Sequence, residues 1–220
     1  VISAQKLQRI DALKGLATGP LYEALFLGWG CDPARYGRVV EAAQALVFEG
    51  FTRTTLRLSA PIIKMRASRL GITAASDAIE LHGGNGYIED WPVARILRDA
   101  QVNPVWEGPD NILCLDVARG IRRNQGDVAL LERFRELVAQ APGDDPATEK
   151  LVVEAVDDVA EMIDHWKRLE GDVAEAKLFP LSEYLADVWS AALLLAQSGA
   201  EKRLGWAPAG RKALVARLFV

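Results

Sequence analysis

Apolar residues in this chain recur at intervals of three and four, the period of amphipathic helices, and nowhere alternate convincingly as strands do. The clearest stripe runs from Glu149 to Leu169 through Val152, Ala155, Val156, Val159, Met162, Ile163 and Trp166. A second, Ser182–Ala196, carries Leu185, Val188, Trp189, Ala192 and Leu195, and Phe179-Pro180 before it reads as a break. Val128–Ala139 predicts a helix burying Leu131, Phe134 and Val138, closed by the Ala-Pro-Gly-Asp-Asp-Pro run over 141–146. Near the start, Leu7, Ile10, Leu13 and Leu16 mark a helix over Ala4–Leu16 that Gly19-Pro20 ends. Leu21–Trp29 is a second apolar segment. Asp32 then caps a helix with Pro33 in its first turn, running through Val39, Val40, Ala43, Leu46 and Val47 towards Phe51.

Residues 55–81 read as one helix or two, because Pro61 and Gly71 are both breakers. Ile62, Ile63, Met65, Leu70, Ile72 and Ile79 supply the expected buried face. Short helices follow over Val93–Asp99 and Asn111–Arg122. The second takes Asp110 as its cap, with Arg119, Arg122 and Arg123 favourable at its C-terminal end. The fold class is therefore all-α, in bundle form. The polar stretch Asn124-Gln125-Gly126-Asp127 divides a bundle over 1–126 from a C-terminal helical extension over 127–220.

Composition changes this picture little, but charge changes it more. The chain has 220 residues, is 50% hydrophobic and 25% charged, with net charge −4, an ordinary globular balance that argues against a chain binding nucleic acid over its whole surface. Residues 127–220 are acidic overall. Only the last twenty reverse this, with Lys202, Arg203, Arg211, Lys212 and Arg217 against Glu201. Two cysteines, Cys31 and Cys114, without a Cys-x-x-Cys pair, predict neither a disulfide framework nor a cysteine-rich metal site, and fit a reducing, cytoplasmic setting. No uninterrupted apolar run approaches the ~18 residues of a membrane span. The start, Val-Ile-Ser-Ala, is not a signal peptide and reads as part of something longer.

The candidate chemistry lies between His82 and Asp116, HGGNGYIEDWPVARILRDAQVNPVWEGPDNILCLD. Gly83, Gly84 and Gly86 follow a helix. They either close it with a tight turn or leave bare backbone amides that cradle a phosphate. Glu107 stands between Trp106 and Gly108. It is either a solvated loop glutamate or a base, since a carboxylate held against an apolar wall such as Trp106 is made more basic. Arg53, Arg57, Lys64, Arg66 and Arg69 form a run free of acids, read as a solvated helix face or as partners for phosphates. His82 and His165 are too isolated for a metal site or a triad, and no metal is expected. Arg98 reads as an internal ion-pair partner of Asp99. Trp166, Trp189, Leu185 and Val188 read as core or subunit contacts.

These residues resemble the C-terminal helical domain of the acyl-CoA dehydrogenases. The match is strong over about residues 55–123 and weaker over 127–220. The form WEGxxNxxCLDVxR, Trp106 through Arg119, together with the helical extension, is similar to the AidB-like branch. The resemblance implies α,β-dehydrogenation of an acyl-CoA thioester with FAD as cofactor and Glu107 as the base that takes the α proton. It implies that Gly83, Gly84 and Gly86, with Tyr87, reach the FAD of a partner subunit, and that Asn111 contacts FAD. It also implies that Trp106 and Gly108 border the substrate. Electron-transfer flavoprotein or another acceptor, and a homo-oligomer (dimer or tetramer), are the implied partners. Two positions depart from the pattern. Glu80 stands where the family has glutamine, and Pro109, lacking hydroxyl and N–H, where it has threonine or serine. The alternative is a non-catalytic AidB-like flavoprotein or helical assembly module with a stress-response or DNA-associated role. Its only basic footprint is the last twenty residues.

Overall fold

The computed structural model describes residues 53–141, 143, 145–205 and 210–220. The helices expected over Ala4–Leu16, Leu21–Trp29 and from Pro33 to Phe51, and Cys31, lie outside them. Among the described residues the chain is helical with no strand. In order come α1 (Arg53–His82), α2 (Gly84–Tyr87), α3 (Pro92–Gln101), α4 (Asp110–Asn124), α5 (Gly126–Val138), α6 (Pro146–Lys167), α7 (Gly171–Ala176), α8 (Leu178–Arg203) and α9 (Arg211–Ala216).

Neither Pro61 nor Gly71 divides α1, which is a single helix of 30 residues. A proline removes one backbone hydrogen bond. Here the burial of Leu58, Ile62 and Met65, each at most 1% exposed, holds the helix through it. Those residues share one stripe by their spacing of four and three. Ile63 and Leu70, expected inside, fall out of that phase and are exposed. The break expected at Phe179-Pro180 is absent too. Pro180 occupies the third position of α8, where the helix's first N–H groups need no intrahelical partner. Asp110 is the first residue of α4 rather than its cap. Pro109, extended at φ −69° and ψ 166°, precedes it, and Arg69 holds the Asp110 carboxylate at 2.5 Å.

Helix α1 packs on α3, α4 and α5, and α8 packs on α4, α5, α6 and α9. One hydrophobic core runs from Leu58 on α1 to Ala216 on α9 and crosses the 126/127 position without interruption. At that crossing Gln125 adopts φ 50° and turns the chain directly from α4 into α5. The stripe anticipated on α6 is buried from Val152 to Trp166, apart from Met162, which is 39% exposed. Trp166 is sealed from above by Arg122, whose guanidinium lies 4.6 Å from the ring centroid and donates to the Leu169 carbonyl at 2.7 Å. Its indole N–H reaches the Ala174 carbonyl at 2.8 Å, so the buried donor is satisfied. The segment Gly171–Arg203 is long and apolar enough to cross a membrane by length and composition, although charged and polar residues interrupt it. Its apolar residues Leu185, Val188 and Leu195 are core residues of this bundle.

Candidate functional site

The loop between α3 and α4 carries Glu107 at φ 56° and Gly108 at φ 107°. A left-handed backbone is ordinary for glycine but strained for glutamate, whose Cβ crowds the carbonyl oxygen that follows. Two cations of α1 hold this turn from below. The Lys64 ammonium donates to the Gly108 carbonyl at 2.8 Å. Five residues on, the Arg69 guanidinium donates to Asp110 through Nε at 2.9 Å and Nη2 at 2.5 Å. Arg69 is itself exposed, whereas the Asp110 side chain is 10% exposed, so the carboxylate is the ordered end of the pair.

Glu107 borders a cavity of about 520 Å³ between α1 and α4. Leu56, Ala60 and Lys64 face it from α1 at intervals of four, and Leu113, Asp116, Gly120 and Asn124 from α4 at intervals of three or four. Arg57, Pro61 and Arg119 complete the wall. Arg119 is ion-paired with Asp116, leaving Arg57 and Lys64 as cations contributed by α1. Trp106 does not line the cavity. It is 53% exposed, with its indole N–H on the Asn103 side-chain oxygen at 3.3 Å. The apolar lining comes instead from Leu56, Pro61 and Leu113. Asn111 is exposed on the first turn of α4. The shared faces of α1 and α4 were legible as helical spacings, but their pairing across 44 residues (Lys64 to Gly108) was not.

The run of α1 cations is not one solvated face. Arg57 and Lys64 border the cavity, Arg69 clamps Asp110, and Arg66 bridges to Glu183 and Asp187 of α8. Arg98 pairs with Glu89 at 2.8 Å rather than with Asp99, which lies beside Arg95. That contact, made through hydrogen bonds as well as charge, holds the Glu89 carboxyl below the usual carboxylate range. His165 is exposed and borders a second cavity, of about 490 Å³, with Met162, Trp166 and Leu181. Among the described residues no group of three or more potential ligands could hold a metal ion.

The glycine turn closes α1. Gly83 has φ 57°, and its N–H bonds the Glu80 carbonyl at 3.0 Å. At Gly83 and Gly84 the space a side chain would fill is empty, so a ligand could approach this backbone closely. Gly86 is different: a Cβ there would strike the Ile79 carbonyl and lie 2.9 Å from the Ile79 Cα. Glu80 and Tyr87 are both exposed. The α1 rod spaces this turn from the cavity. Lys64 and His82 are separated by about 27 Å at ~1.5 Å rise per residue.

Residues 34–122 match the acyl-CoA dehydrogenase C-terminal domain family. Over that stretch the chain is similar to acyl-CoA dehydrogenases. It is 48% identical over 64 residues to acyl-CoA dehydrogenase family member 11 of Caenorhabditis elegans (29% of this chain, 10% of that protein). It is 38% identical over 96 residues to putative acyl-CoA dehydrogenase AidB of Escherichia coli (43% and 18%). To 3-methylmercaptopropionyl-CoA dehydrogenase of Ruegeria pomeroyi it is 29% identical over 133 residues (60% and 21%). The chain thus spans between 10% and 21% of the length of these relatives. Its fold is that of the Caenorhabditis elegans ACDH-11 structure, solved in complex with C11-CoA. The TM-score is 0.68 at 23% identity, covering 92% of this chain and 36% of that one.

Proposed function

We propose that this chain supplies the proton-abstracting half of an FAD-dependent acyl-CoA dehydrogenase, with Glu107 as the base. The observation that carries the reading is the backbone of Glu107. A glutamate fixed at φ 56° on the edge of a cavity is strained, and such strain concentrates where a side chain must point in one direction. Glu107 takes the proton α to the thioester carbonyl, while FAD, when bound, accepts hydride from the β carbon. Gly108, bare at φ 107°, leaves room for the thioester beside the carboxylate. Because Glu107 is exposed in this chain, the water-poor enclosure that suits a base would be completed by bound cofactor, substrate and further protein.

The residues of the glycine turn fit a cofactor's pyrophosphate, since Gly83 and Gly84 leave their outer face open. Asn111 offers an exposed amide on the first turn of α4. The separation of about 27 Å along α1 supports the view that the two halves serve different active sites. The glycine turn then serves a cofactor held by another copy, and Glu107 serves the chain's own substrate, within a dimer or tetramer. Electron-transfer flavoprotein or a similar acceptor would reoxidise the flavin.

The experiment uses the protein expressed with whatever segments its gene adds to this sequence, loaded with FAD and titrated anaerobically with acyl-CoAs of graded length. Bleaching of the flavin absorbance supports the reading. The Glu107→Gln variant should retain flavin and lose about 10²–10⁴-fold in bleaching rate, the worth of a positioned base. Flavin binding without bleaching by any acyl-CoA would instead support a non-catalytic assembly module. The exposed Leu81, Tyr87, Ile88 and Trp91 at the glycine-turn end of the bundle favour that second reading. The basic tail offers less to DNA. Lys212 is paired with Glu201 at 2.8 Å, and Arg203 donates to the Gln140 carbonyl at 3.3 Å.

A further inference from the structure

We infer that Lys64 is the positioning residue for Glu107: it fixes the left-handed turn from which the carboxylate enters the cavity. The inference rests on the reading of Glu107 as the base, and deepens it. A turn with two consecutive positive φ angles, at Glu107 and Gly108, does not hold itself, because glutamate has a lower-energy backbone available. Something outside the loop must select the strained form. Among the described residues, the contact that reaches the turn itself is the Lys64 ammonium on the Gly108 carbonyl at 2.8 Å. It is a charge-assisted bond, stronger than a neutral one. It arises from a packed helix rather than from a neighbouring loop residue. Lys64 is half-buried on α1, and its helix is anchored by the buried Ile62 and Met65.

The clamp has a second point. Asp110, two residues beyond Gly108, is tied to Arg69 on the same helix. Arg69 thereby fixes the start of α4, and Lys64 fixes the turn before it. Between them stands Pro109, which cannot donate to α1 or to the cavity but has its own φ locked near −69°. The proline that departs from the family pattern therefore stiffens the link between the two anchored positions. Lysine also suits the place electrostatically. Its ammonium carries three donors and one is used on Gly108, while Glu107 and Asp116 border the same cavity. Arg57 and Arg119 are the other charged side chains on that wall, and Arg119 is engaged by Asp116.

The test has two arms. The first uses this chain alone, by NMR, and needs no flavin or turnover. In Lys64→Met the Gly108 carbonyl carbon should shift to lower frequency as it loses the bond, and the Glu107 and Gly108 amide resonances should shift with it. The amides of Val117 and Ile121, in the core of α4, should stay in place. Lys64→Arg, which keeps a cationic donor, should restore the Gly108 signal. If the Gly108 carbonyl does not move in Lys64→Met, or if Val117 and Ile121 move as much as Glu107, the inference is overturned. Should Lys64→Met not fold, the unaltered chain decides: a correlation between the Lys64 ammonium and the Gly108 carbonyl supports the inference, and its absence at low temperature overturns it. The second arm measures turnover in the flavin-loaded protein. Lys64→Met should lower kcat about 100-fold, as expected of a misplaced reacting group, with KM little changed and partial recovery in Lys64→Arg. A rise in KM at unchanged kcat would mean that Lys64 binds substrate instead. Failure of Glu107→Gln to affect bleaching would remove the base assignment while leaving the NMR result on Lys64 standing.

Discussion

At the scale of single residues, strain and burial separate roles that the sequence left open. Glu107 is exposed and strained, a combination with no stabilising purpose of its own. Glu107→Gly and Glu107→Ala both delete the carboxylate, but only glycine accepts φ 56° without cost. The glycine variant should be more stable than the alanine variant by about 1 kcal/mol in urea unfolding. Equal midpoints would mean that the turn relaxes freely in the alanine variant. Cys114 is the opposite case. It is 4% exposed, and burial pushes its thiol up, with only a contact to Ser182 acting against it. Peptide-resolved mass spectrometry should show Cys114 alkylated slowly by iodoacetamide in the folded chain and rapidly in denaturant. Neither property was visible in the letters. A glutamate between tryptophan and glycine does not reveal its φ, and Trp106, the expected apolar wall, is not part of the cavity lining.

At the scale of elements, the glycine turn and the helix starts differ in what they tolerate. Gly86 is pressed against the Ile79 backbone, while Gly84 faces open space. Gly86→Ala should therefore cost about 1–3 kcal/mol, and Gly84→Ala less than about 0.5 kcal/mol, compared by thermal unfolding. If the two variants unfolded alike, the close approach at Gly86 would be refuted. The start of α6 makes a pH prediction. Asp145 accepts from the Thr148 hydroxyl at 2.5 Å and from its N–H at 3.1 Å, and the hydroxyl contact first, the amide second, hold its carboxyl below the ordinary value. A carboxyl depressed in the folded state stabilises the fold above its unfolded pKa and loses that contribution as pH falls through the folded value. Asp145→Ala should thus be less stable than the parent at neutral pH, with the gap narrowing through the acid range. A gap independent of pH would show that the cap works without its charge. The stripe from Val152 to Trp166 is readable in sequence; the Asp145 cap is not singled out there, and Asp110, expected as a cap, is the first residue of α4. Pro61 and Pro180 were not readable either. Pro61 stays inside α1 because α4 and α5, far along the chain, pack on that helix, and Pro180 is tolerated because it falls in the first turn of α8.

At the scale of the molecule, α1 and α4 to α9 share one core. Leu58 and Ile62 of α1 belong to the same apolar cluster as Phe134 of α5 and Leu185 of α8, and the Phe134 and Trp189 rings meet at 6.1 Å. A chain ended at residue 126 would uncover that face of α1. It should bind a hydrophobic dye and elute as aggregates, whereas the whole chain should do neither. A soluble, dye-silent 1–126 fragment would show that the first part builds a core of its own. The fold class was legible because helical periodicity is a local property. The pairing of Lys64 with Gly108, of Arg66 with α8 and of Arg98 with Glu89 was not, because charged side chains choose partners only once helices are placed.

The unbroken length of α1 bears on how this chain can change. One residue inserted between Lys64 and His82 would move the glycine turn outward by about 1.5 Å and swing it round by about 100°. The cavity end would stay where it was. A single insertion would thus misdirect the turn completely, and four, slightly more than one full turn, would restore its direction at a different reach. Insertions near Gly143, in open space between α5 and α6, disturb neither end. Under the function proposed above, the number of residues along α1 matters as much as their identities.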